Sequence, residues 1–307
     1  MSIALLTRLP AAEAARWRGL LEEALGEAIP AKPDPATVDI ALVANPPAGS
    51  FEALPNLKFI QSLWAGVDSL LADASRPRNV PLARLIDPAM ADTMAEAVAA
   101  YVLDLHRQGP LYRQQQAKRV WKQHLQPRPA ERRIGILGMG AMGQRSAEVL
   151  RALGFTVSGW SRTGATVEGV TMQAGDDGLE ALLTDTDILV NLLPLTKETR
   201  GLLDRLLFGQ LPRGASVINF ARGGHLVAAD LLAALDDGHL DHAVLDVFET
   251  EPLPADDPLW RHAKVTLLPH VAASTDPRTA AAFVAANVRA WRAGEPVKGL
   301  VAAERGY

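Results

Sequence analysis

The sequence predicts an α/β protein with two domains, each containing a parallel sheet of the doubly wound type. The chain has 307 residues, which is more than one hydrophobic core usually serves. Short apolar runs of strand length alternate with helical patterns along the chain, as expected for helices packed on parallel sheets. A glycine-rich loop that follows one of these runs and opens a helix marks the second domain.

Four short apolar runs predict the strands of the first domain. They are Ile3–Leu6, Ile40–Ala44, Leu57–Ile60 and Pro81–Ile86, with a helix predicted at Ala11–Leu25. Apolar residues at helical spacing then predict one long helix from Pro88 to about Gln116. The chain breaks around Pro127–Pro129, where a new pattern begins.

Six further runs predict the strands of the second domain. They are Arg133–Leu137, Thr156–Trp160, Asp187–Leu192, Ser216–Asn219, Ala243–Asp246 and Val265–Leu268. Helices are predicted at Ala141–Leu153, Lys197–Leu206 and Ala228–Asp236, and a last one at about Pro277–Ala293. This alternation is typical of a doubly wound, dinucleotide-binding domain.

Composition narrows the function classes. The net charge of -4 gives no electrostatic reason to expect nucleic acid or an anionic membrane as a partner. Because there are no cysteines, disulfides, thiolate metal sites and cysteine nucleophiles are excluded, and no metal site is predicted. The N-terminal residues lack the basic region of a signal peptide, and no stretch approaches the roughly 20 apolar residues of a membrane span. We therefore expect a cytoplasmic protein.

The glycine loop points to a bound dinucleotide. Gly138, Gly140 and Gly143 form the pattern G-x-G-x-x-G between a predicted strand and a predicted helix. In this context the glycines permit a tight turn, a close approach of the backbone to a pyrophosphate, and close packing of the helix on the strand. A plain glycine turn is the alternative. The predicted phosphate-binding residues are Gly138, Met139, Gly140, Ala141, Met142 and Gly143.

The residues after the second strand of this domain indicate which dinucleotide is bound. Ser161, Arg162 and Thr163 begin 18 residues after Gly143, where an NAD-preferring site usually places an acidic residue. Hydroxyls and a guanidinium suit a 2′-phosphate instead, since arginine pairs with phosphate through a rigid fork. We therefore predict NADPH as the preferred cofactor, with NADH also possible, although a solvated polar turn is the alternative reading.

Three residues that follow predicted strands suit keto-acid reduction. Arg222, Glu251 and His270 follow different strands of the second domain, and ligands bind outside the carboxyl ends of parallel strands. Arg222 can hold a carboxylate and polarise a carbonyl. His270 can act as the general acid, with a pKa raised by a nearby Glu251. Singly, each residue is better read as a surface or turn residue, and only the combination points to catalysis.

A second glycine turn, in the first domain, is a candidate substrate-binding loop. Trp64, Ala65, Gly66 and Val67 follow the Leu57–Ile60 strand. Backbone N–H groups exposed at such a turn can bind a carboxylate, and Trp64 can cap the substrate. A glycine turn with a packed tryptophan fits equally well.

Taken together, these motifs resemble those of the D-isomer-specific 2-hydroxyacid dehydrogenases, most closely the glyoxylate/hydroxypyruvate reductase A group. The resemblance covers nearly all 307 residues. It is carried by Trp64–Asp68, the Gly138–Gly143 loop, Trp160–Arg162, Asn191–Pro194, Ala221–Gly223, Asp246–Leu253, Pro258–His262, Pro269-His270 and Arg305-Gly306-Tyr307.

The resemblance implies two Rossmann-like domains with the active site in the cleft between them. Residues 1–105 and 273–307 would form the substrate-binding domain, and residues 106–272 the NAD(P)-binding domain. It further implies Arg222, Glu251 and His270 as the catalytic set, a homodimer, and reduction of glyoxylate or hydroxypyruvate by NADPH. The implied further cofactor contacts are Leu193, Pro194, Ala221, Asp246 and His270.

Two other functions stay open at this point. One is a related dehydrogenase for a different or bulkier keto acid, since Trp64 varies among relatives. The other is a non-catalytic, dinucleotide-sensing interaction protein, because a corepressor branch resembles this family and can retain Arg222, Glu251 and His270.

Overall fold

The chain folds into two compact units, each built on its own parallel sheet. The computed structural model describes residues 2–162, 164 and 166–301. Unit 1 comprises the chain up to Met90 together with the residues from Thr275, and unit 2 comprises Ala91–Ser274. The resemblance places the boundary between the domains at residue 105, near the end of helix α3 (Pro88–His106). The division between the two compact units falls after Met90, near the start of that helix.

Unit 1 contains a four-stranded sheet in the order β1-β2-β3-β4, with all strands parallel. Its elements are β1 (Ser2–Thr7), α1 (Ala11–Leu25), β2 (Val38–Ala44), β3 (Phe59–Ser62), α2 (Asp68–Ala72), β4 (Leu82–Ala83) and α9 (Pro277–Ala293). Every residue of β2 and β3 is buried. Most residues of β2 are apolar, as expected for a parallel strand covered on both faces, while Asp39 of β2 and Gln61 and Ser62 of β3 are buried polar residues. Helix α9 packs against α1 and β3, and Trp291 stacks on Phe59.

Unit 2 contains a seven-stranded parallel sheet in the order β11-β10-β9-β8-β5-β6-β7. Its strands are β5 (Arg133–Leu137), β6 (Thr156–Trp160), β7 (Thr171–Gln173), β8 (Ile188–Asn191), β9 (Ala215–Asn219), β10 (Leu240–Leu245) and β11 (Val265–Leu267). Its helices are α4 (Gly109–Ala117), α5 (Ala141–Ala152), α6 (Gly175–Thr184), α7 (Arg205–Gln210) and α8 (Ala228–Asp236), preceded by α3 (Pro88–His106), which begins in unit 1. The strand order reverses at β5, which pairs with β6 on one side and β8 on the other. In doubly wound sheets, ligands bind at such a switch point.

The core of unit 2 has two apolar layers, one on each face of the sheet. Successive strand residues alternate between them, as the two-residue period of a strand requires. On β5, Ile136 packs with one layer and Leu137 with the other. On β8, Val190 and Leu189 divide in the same way. Among the helices of the described residues, none is long and apolar enough to cross a membrane.

Two predicted helices are wrong. The long helix from Pro88 to Gln116 is broken at Gln108, which has a left-handed φ of 58° and separates α3 from α4. Pro110 lies in the first turn of α4, the one helical region where its missing N–H is tolerated. The predicted helix at Lys197–Leu206 consists mainly of turns, and α7 begins only at Arg205, capped by the carboxylate of Asp204. The apolar pattern also gave no sign of β7 or α6.

Candidate active site

Arg222, Glu251 and His270 are brought to one edge of the sheet in unit 2. They follow β9, β10 and β11, three strands that are neighbours in the sheet. Because the strands are parallel, their carboxyl ends lie together. Arg222 is near enough to the other two residues that its charge contributes to the lowered pKa of Glu251 and partly opposes the raised pKa of His270.

Glu251 and His270 form a hydrogen-bonded ion pair. Nδ1 of His270 lies 2.7 Å from Oε2 of Glu251, and the backbone N–H of Phe248 donates to the other carboxylate oxygen at 2.9 Å. The hydrogen bond to Glu251 raises the pKa of His270 above its ordinary value, against the opposing effect of burial. Burial is the largest single effect on Glu251 and raises its pKa, but the hydrogen bonds with His270 and Phe248 and the positive charges of His270 and Arg222 together outweigh it, so the net shift is downward. The pair therefore favours imidazolium beside carboxylate, and Nε2 remains as the ring nitrogen that can give up a proton.

The backbone at His270 is held by Asp246. His270 has a left-handed φ of 56°, which is uncommon for a residue with a side chain. Its N–H donates to the carbonyl oxygen of Asp246 at 2.9 Å, and the N–H groups of Val271 and Ala272 donate to the two oxygens of the Asp246 carboxylate at 2.7 and 3.0 Å. Asp246 is only 1% exposed, and burial raises its pKa. The sequence suggested only a place near the cofactor for Asp246, and did not reveal its contacts with this loop.

Two buried asparagines fix the loop that carries Arg222. The side-chain amide of Asn191, at the end of β8, donates to Oδ1 of Asn219 at 3.0 Å, at the end of β9. The amide of Asn219 in turn donates to the carbonyl oxygen of Arg222 at 3.1 Å, and Oδ1 of Asn191 accepts from the N–H of Leu193 at 3.2 Å. Sequence reasoning missed both asparagines as supporting residues. Each asparagine is the last residue of its strand, and this shared position is the sequence feature that could have identified them.

The glycine loop follows β5 and opens α5, as predicted. Gly138 has a φ of 97°, and a Cβ there would lie 2.7 Å from the carbonyl oxygen of Leu192. A Cβ on Gly143 would lie 2.1 Å from the carbonyl oxygen of Gly138, so this residue must be small for the helix to begin here. Gly140 differs, because no heavy atom lies within 4 Å of the place a Cβ would take. The loop is thus tightly packed on its inner side and open at Gly140, where the N-terminus of α5 begins.

Ser161 follows β6, the strand next to β5, and its hydroxyl is buried without a hydrogen-bond partner among the described residues. A buried polar atom without a partner is uncommon. Arg162 beside it is exposed, and Thr163, the third predicted residue, lies outside the described residues. Ser161 therefore keeps an unused donor and acceptor close to a cation at the edge of the sheet.

Residues 99–272, more than half of the chain, match the NAD binding domain of the D-isomer specific 2-hydroxyacid dehydrogenases. The chain belongs to this family. The dehydrogenase is 43% identical to a glyoxylate/hydroxypyruvate reductase A from Yersinia enterocolitica over 309 aligned residues, which cover 99% of this chain and 94% of the relative.

Solved structures of the same family resemble the dehydrogenase along its whole length. A D-isomer specific 2-hydroxyacid dehydrogenase from Xanthobacter autotrophicus Py2, in complex with NADPH and MES, has a TM-score of 0.94 at 41% identity and covers 100% of this chain and 99% of its own. An NADPH-dependent glyoxylate/hydroxypyruvate reductase from Sinorhizobium meliloti, in complex with NADP and sulfate, has a TM-score of 0.91 at 36% identity and covers both chains fully. The predicted family and the predicted pair of parallel-sheet α/β domains are confirmed.

The residues of unit 2 fit a nicotinamide dinucleotide. The dehydrogenase has an open backbone position at Gly140, the N–H groups of a helix N-terminus directly after it, and, just after the adjacent strand, the hydroxyl of Ser161, which has no hydrogen-bond partner in the part of the chain that the structure describes. Phosphates are bound by such helix N-termini, and the ribose by groups at the end of the second strand.

The predicted substrate-binding loop lies in unit 1, whereas Arg222, Glu251 and His270 lie in unit 2. It follows β3 and is held through the main chain of Trp64, whose N–H donates to the side-chain Oγ of Ser62 at 3.0 Å and whose carbonyl oxygen accepts from the N–H of Leu85 at 3.0 Å. The ring of Trp64 packs edge-on against Trp17, with ring centroids 5.5 Å apart. Val67 is buried, and Ala65 and Gly66 are half-buried.

Proposed function

We propose that the protein reduces glyoxylate or hydroxypyruvate to the corresponding 2-hydroxy acid with NADPH. The observation that carries the proposal is the Glu251–His270 pair, which stands beside Arg222 at the carboxyl ends of three adjacent strands. Relatives at 40–43% identity over nearly the full length are glyoxylate/hydroxypyruvate reductases, and two neighbouring structures hold NADPH or NADP.

Each of the three residues has a distinct task in this reaction. NADPH supplies the hydride that the keto carbon receives. Arg222 binds the substrate carboxylate and polarises the carbonyl, because its planar fork can form two parallel hydrogen bonds. His270 donates the proton on Nε2 to the carbonyl oxygen, which becomes the hydroxyl of the product. Glu251 orients the ring through Nδ1 and keeps it protonated until that transfer.

Cofactor binding is assigned to the groups around the switch point of the sheet. The glycine loop and the N-terminus of α5 bind the pyrophosphate. Ser161, Arg162 and Thr163 bind the 2′-phosphate, which is the basis for preferring NADPH to NADH. The remaining residues assigned to the cofactor site are Leu193, Pro194, Ala221, Asp246 and His270.

The other assignments rest on the family resemblance. Trp64, Ala65, Gly66 and Val67 contact the substrate, with backbone N–H groups of the glycine turn facing its carboxylate. The protein is a homodimer and acts in the cytoplasm. The dimer is tested by light scattering or ultracentrifugation, where the mass of one chain would contradict it.

Turnover of three keto acids tests the proposed function directly. The purified protein is assayed with glyoxylate, hydroxypyruvate and pyruvate, each with NADPH and with NADH. We expect kcat/KM to be highest for glyoxylate or hydroxypyruvate with NADPH. Turnover of none of the three, with NADPH bound, would instead indicate a different substrate or a sensing role.

A further inference from the structure

The imidazole of His225 is fully buried between the loops that follow β8 and β9, and the proposed mechanism does not use it. The residue is 0% exposed. Nδ1 lies 3.1 Å from the carbonyl oxygen of Arg222, and Nε2 lies 3.2 Å from the carbonyl oxygen of Pro194. Both carbonyls are acceptors, and a neutral imidazole carries a single N–H, so the ring donates to one of them at a time unless it is protonated. In either case it lies between two backbone segments that are 28 residues apart in the chain.

Each of these carbonyls belongs to a segment with a proposed role. Pro194 lies in the stretch assigned to the cofactor, and Arg222 is the proposed anchor of the substrate carboxylate. The carbonyl of Pro194 also accepts from Thr199 Oγ1 at 2.8 Å, and that of Arg222 accepts from the amide of Asn219. Thr199 lies in the same loop as Pro194, and Asn219 lies at the start of the loop that carries Arg222. His225 belongs to the Arg222 loop, but its Nε2 reaches the carbonyl oxygen of Pro194 in the other loop.

The opposite side of the Arg222 loop is fixed by packing. A Cβ on Gly223 would lie only 1.8 Å from the carbonyl carbon of Phe248, so the backbone after Arg222 lies directly against the segment that holds Glu251. On the other side, the backbone N–H groups of Gly201 and Leu203 donate to the carbonyl oxygens of Gly224 and His225, both at 2.9 Å, and the imidazole of His225 adds the contact with Pro194. Displacements of about 1 Å in a substrate-positioning group can change rates by about 100-fold.

We propose that His225 is a positioning residue that couples the Pro194 segment to Arg222, so that binding of the dinucleotide sets the affinity for the substrate carboxylate. This inference rests on the proposed function for the roles of Pro194 and Arg222. We assign His225 no direct contact with the cofactor or the keto acid, because the residue is fully buried. A ring that only filled space would be replaceable by leucine, whereas a tie requires an N–H donor facing a carbonyl.

The chain offers a matched control in His242. It is also a buried histidine in unit 2, 3% exposed, and Nε2 lies 2.9 Å from Thr266 Oγ1 on the neighbouring strand β11. Both histidines contribute a buried ring and a hydrogen bond to the fold. Only His225 lies between the two functional loops.

The experiment compares His225→Leu, His225→Gln and His242→Leu with the parent protein. Hydrogen exchange is measured without ligand and with NADPH alone. We expect NADPH to protect the amides of residues 138–143 in all four proteins. Protection of the amides of residues 223–226 should appear in the parent and in His242→Leu, and should be lost in His225→Leu.

Binding of oxamate, a non-reacting analogue of a keto acid, is measured by calorimetry in the presence of NADPH. The Kd for oxamate should rise by about 10- to 100-fold in His225→Leu, with the Kd for NADPH within threefold of the parent value and His242→Leu like the parent. His225→Gln keeps an N–H donor and should recover part of the affinity, which also separates lost coupling from a failure of the leucine variant to fold.

An unchanged oxamate affinity in His225→Leu, with residues 223–226 still protected by NADPH, would overturn the coupling. A parent enzyme that reduces neither glyoxylate nor hydroxypyruvate would overturn the proposed function instead. The exchange experiment needs no turnover, so the two failures are distinguishable.

Discussion

The carboxylate of Glu251 and the ring of His270 are joined through Nδ1 at 2.7 Å, and backbone hydrogen bonds hold both residues at the same edge of the sheet, from Phe248 to Glu251 and from His270 to Asp246. This arrangement fixes the tautomer as well as the angle of the ring. An imidazole whose Nδ1 hydrogen is engaged by a carboxylate carries its exchangeable proton on Nε2. The ring is about half exposed, which leaves Nε2 accessible for proton transfer.

Replacing His270 by alanine should lower kcat for glyoxylate reduction by about 10²–10⁴-fold, the usual effect of removing a positioned general acid. The Kd for NADPH should change little, because the phosphates are assigned to the glycine loop. Steady-state kinetics and fluorescence titration measure the two quantities. His262→Ala, a histidine of the same unit paired with Asp236, should keep the parent kcat. Near-parent turnover in His270→Ala would remove His270 from the mechanism.

The pH profile of reduction should shift when Glu251 is replaced by glutamine. Reduction requires protonated His270, so kcat falls as pH rises through the pKa of that residue. Glu251 raises this pKa. Loss of the carboxylate therefore moves the basic limb of the profile to lower pH. The kcat of the parent and of Glu251→Gln is measured from pH 5 to 9, with Glu249→Gln as a control on the same loop. A basic limb at the same pH in parent and variant would contradict the role given to Glu251.

Arg222→Lys should raise KM for glyoxylate, although the substitution keeps the positive charge. Lysine keeps the positive charge but loses the planar fork that can bind both carboxylate oxygens. Loss of one charge-assisted hydrogen bond, at about 1.5–3 kcal/mol, predicts a loss of about 10- to 150-fold in kcat/KM. Arg213→Lys, an exposed arginine bonded to the carbonyl of Asp237, should have no such effect. A variant with the parent kcat/KM would indicate another carboxylate anchor.

The sequence predicted those parts of the fold in which local pattern and tertiary environment agree. Helix α1 and strand β6 have the predicted limits, and β5 does too, because their apolar spacing matches one buried face or a fully covered strand. The prediction of one long helix from Pro88 to Gln116 failed because the backbone conformation of a single residue ends the first part of it. The left-handed residue Gln108 ends α3, and no apolar pattern reports such a residue.

The site was predictable to a similar degree. Charged side chains placed after successive strands are visible in the sequence, and parallel strands bring their ends together. Their supporting contacts are not visible, since the bonds of Asp246 to the loop of His270 and those of His225 to two carbonyls depend on how strands far apart in the chain lie in register. Asparagine, histidine and aspartate at those positions read equally well as buried polar residues.

Two glycines of the loop should respond differently to alanine. Gly143→Ala places a methyl group against the carbonyl of Gly138 and should lower both Tm and NADPH affinity. Gly140→Ala meets no neighbouring atom and should leave Tm unchanged, while raising the Kd for NADPH if phosphate approaches there. Gly19→Ala on α1 is the control, and should raise stability by up to about 1 kcal/mol without affecting NADPH. Equal NADPH affinity in Gly140→Ala and the parent would move the phosphate site elsewhere.

Cofactor preference should depend on Ser161 and Arg162. A carboxylate at the end of the second strand would accept hydrogen bonds from the ribose hydroxyls of NADH and repel the 2′-phosphate of NADPH. This chain has a serine there whose buried hydroxyl finds no partner among the described residues, followed by an exposed arginine. A charge-assisted hydrogen bond of about 1.5–3 kcal/mol corresponds to a preference of about 10- to 150-fold for NADPH.

The double variant Ser161→Asp with Arg162→Ala tests this preference. Its ratio of kcat/KM for NADPH over NADH should fall below that of the parent, because the aspartate repels the 2′-phosphate and the cation is gone. Because Arg162 is exposed, added salt should also weaken the preference of the parent. Arg162→Ala alone should lose the salt dependence while keeping part of the preference through Ser161. A parent enzyme that uses NADH as well as NADPH would contradict the role of these two residues, and would leave the assignment of Arg222, Glu251 and His270 untouched.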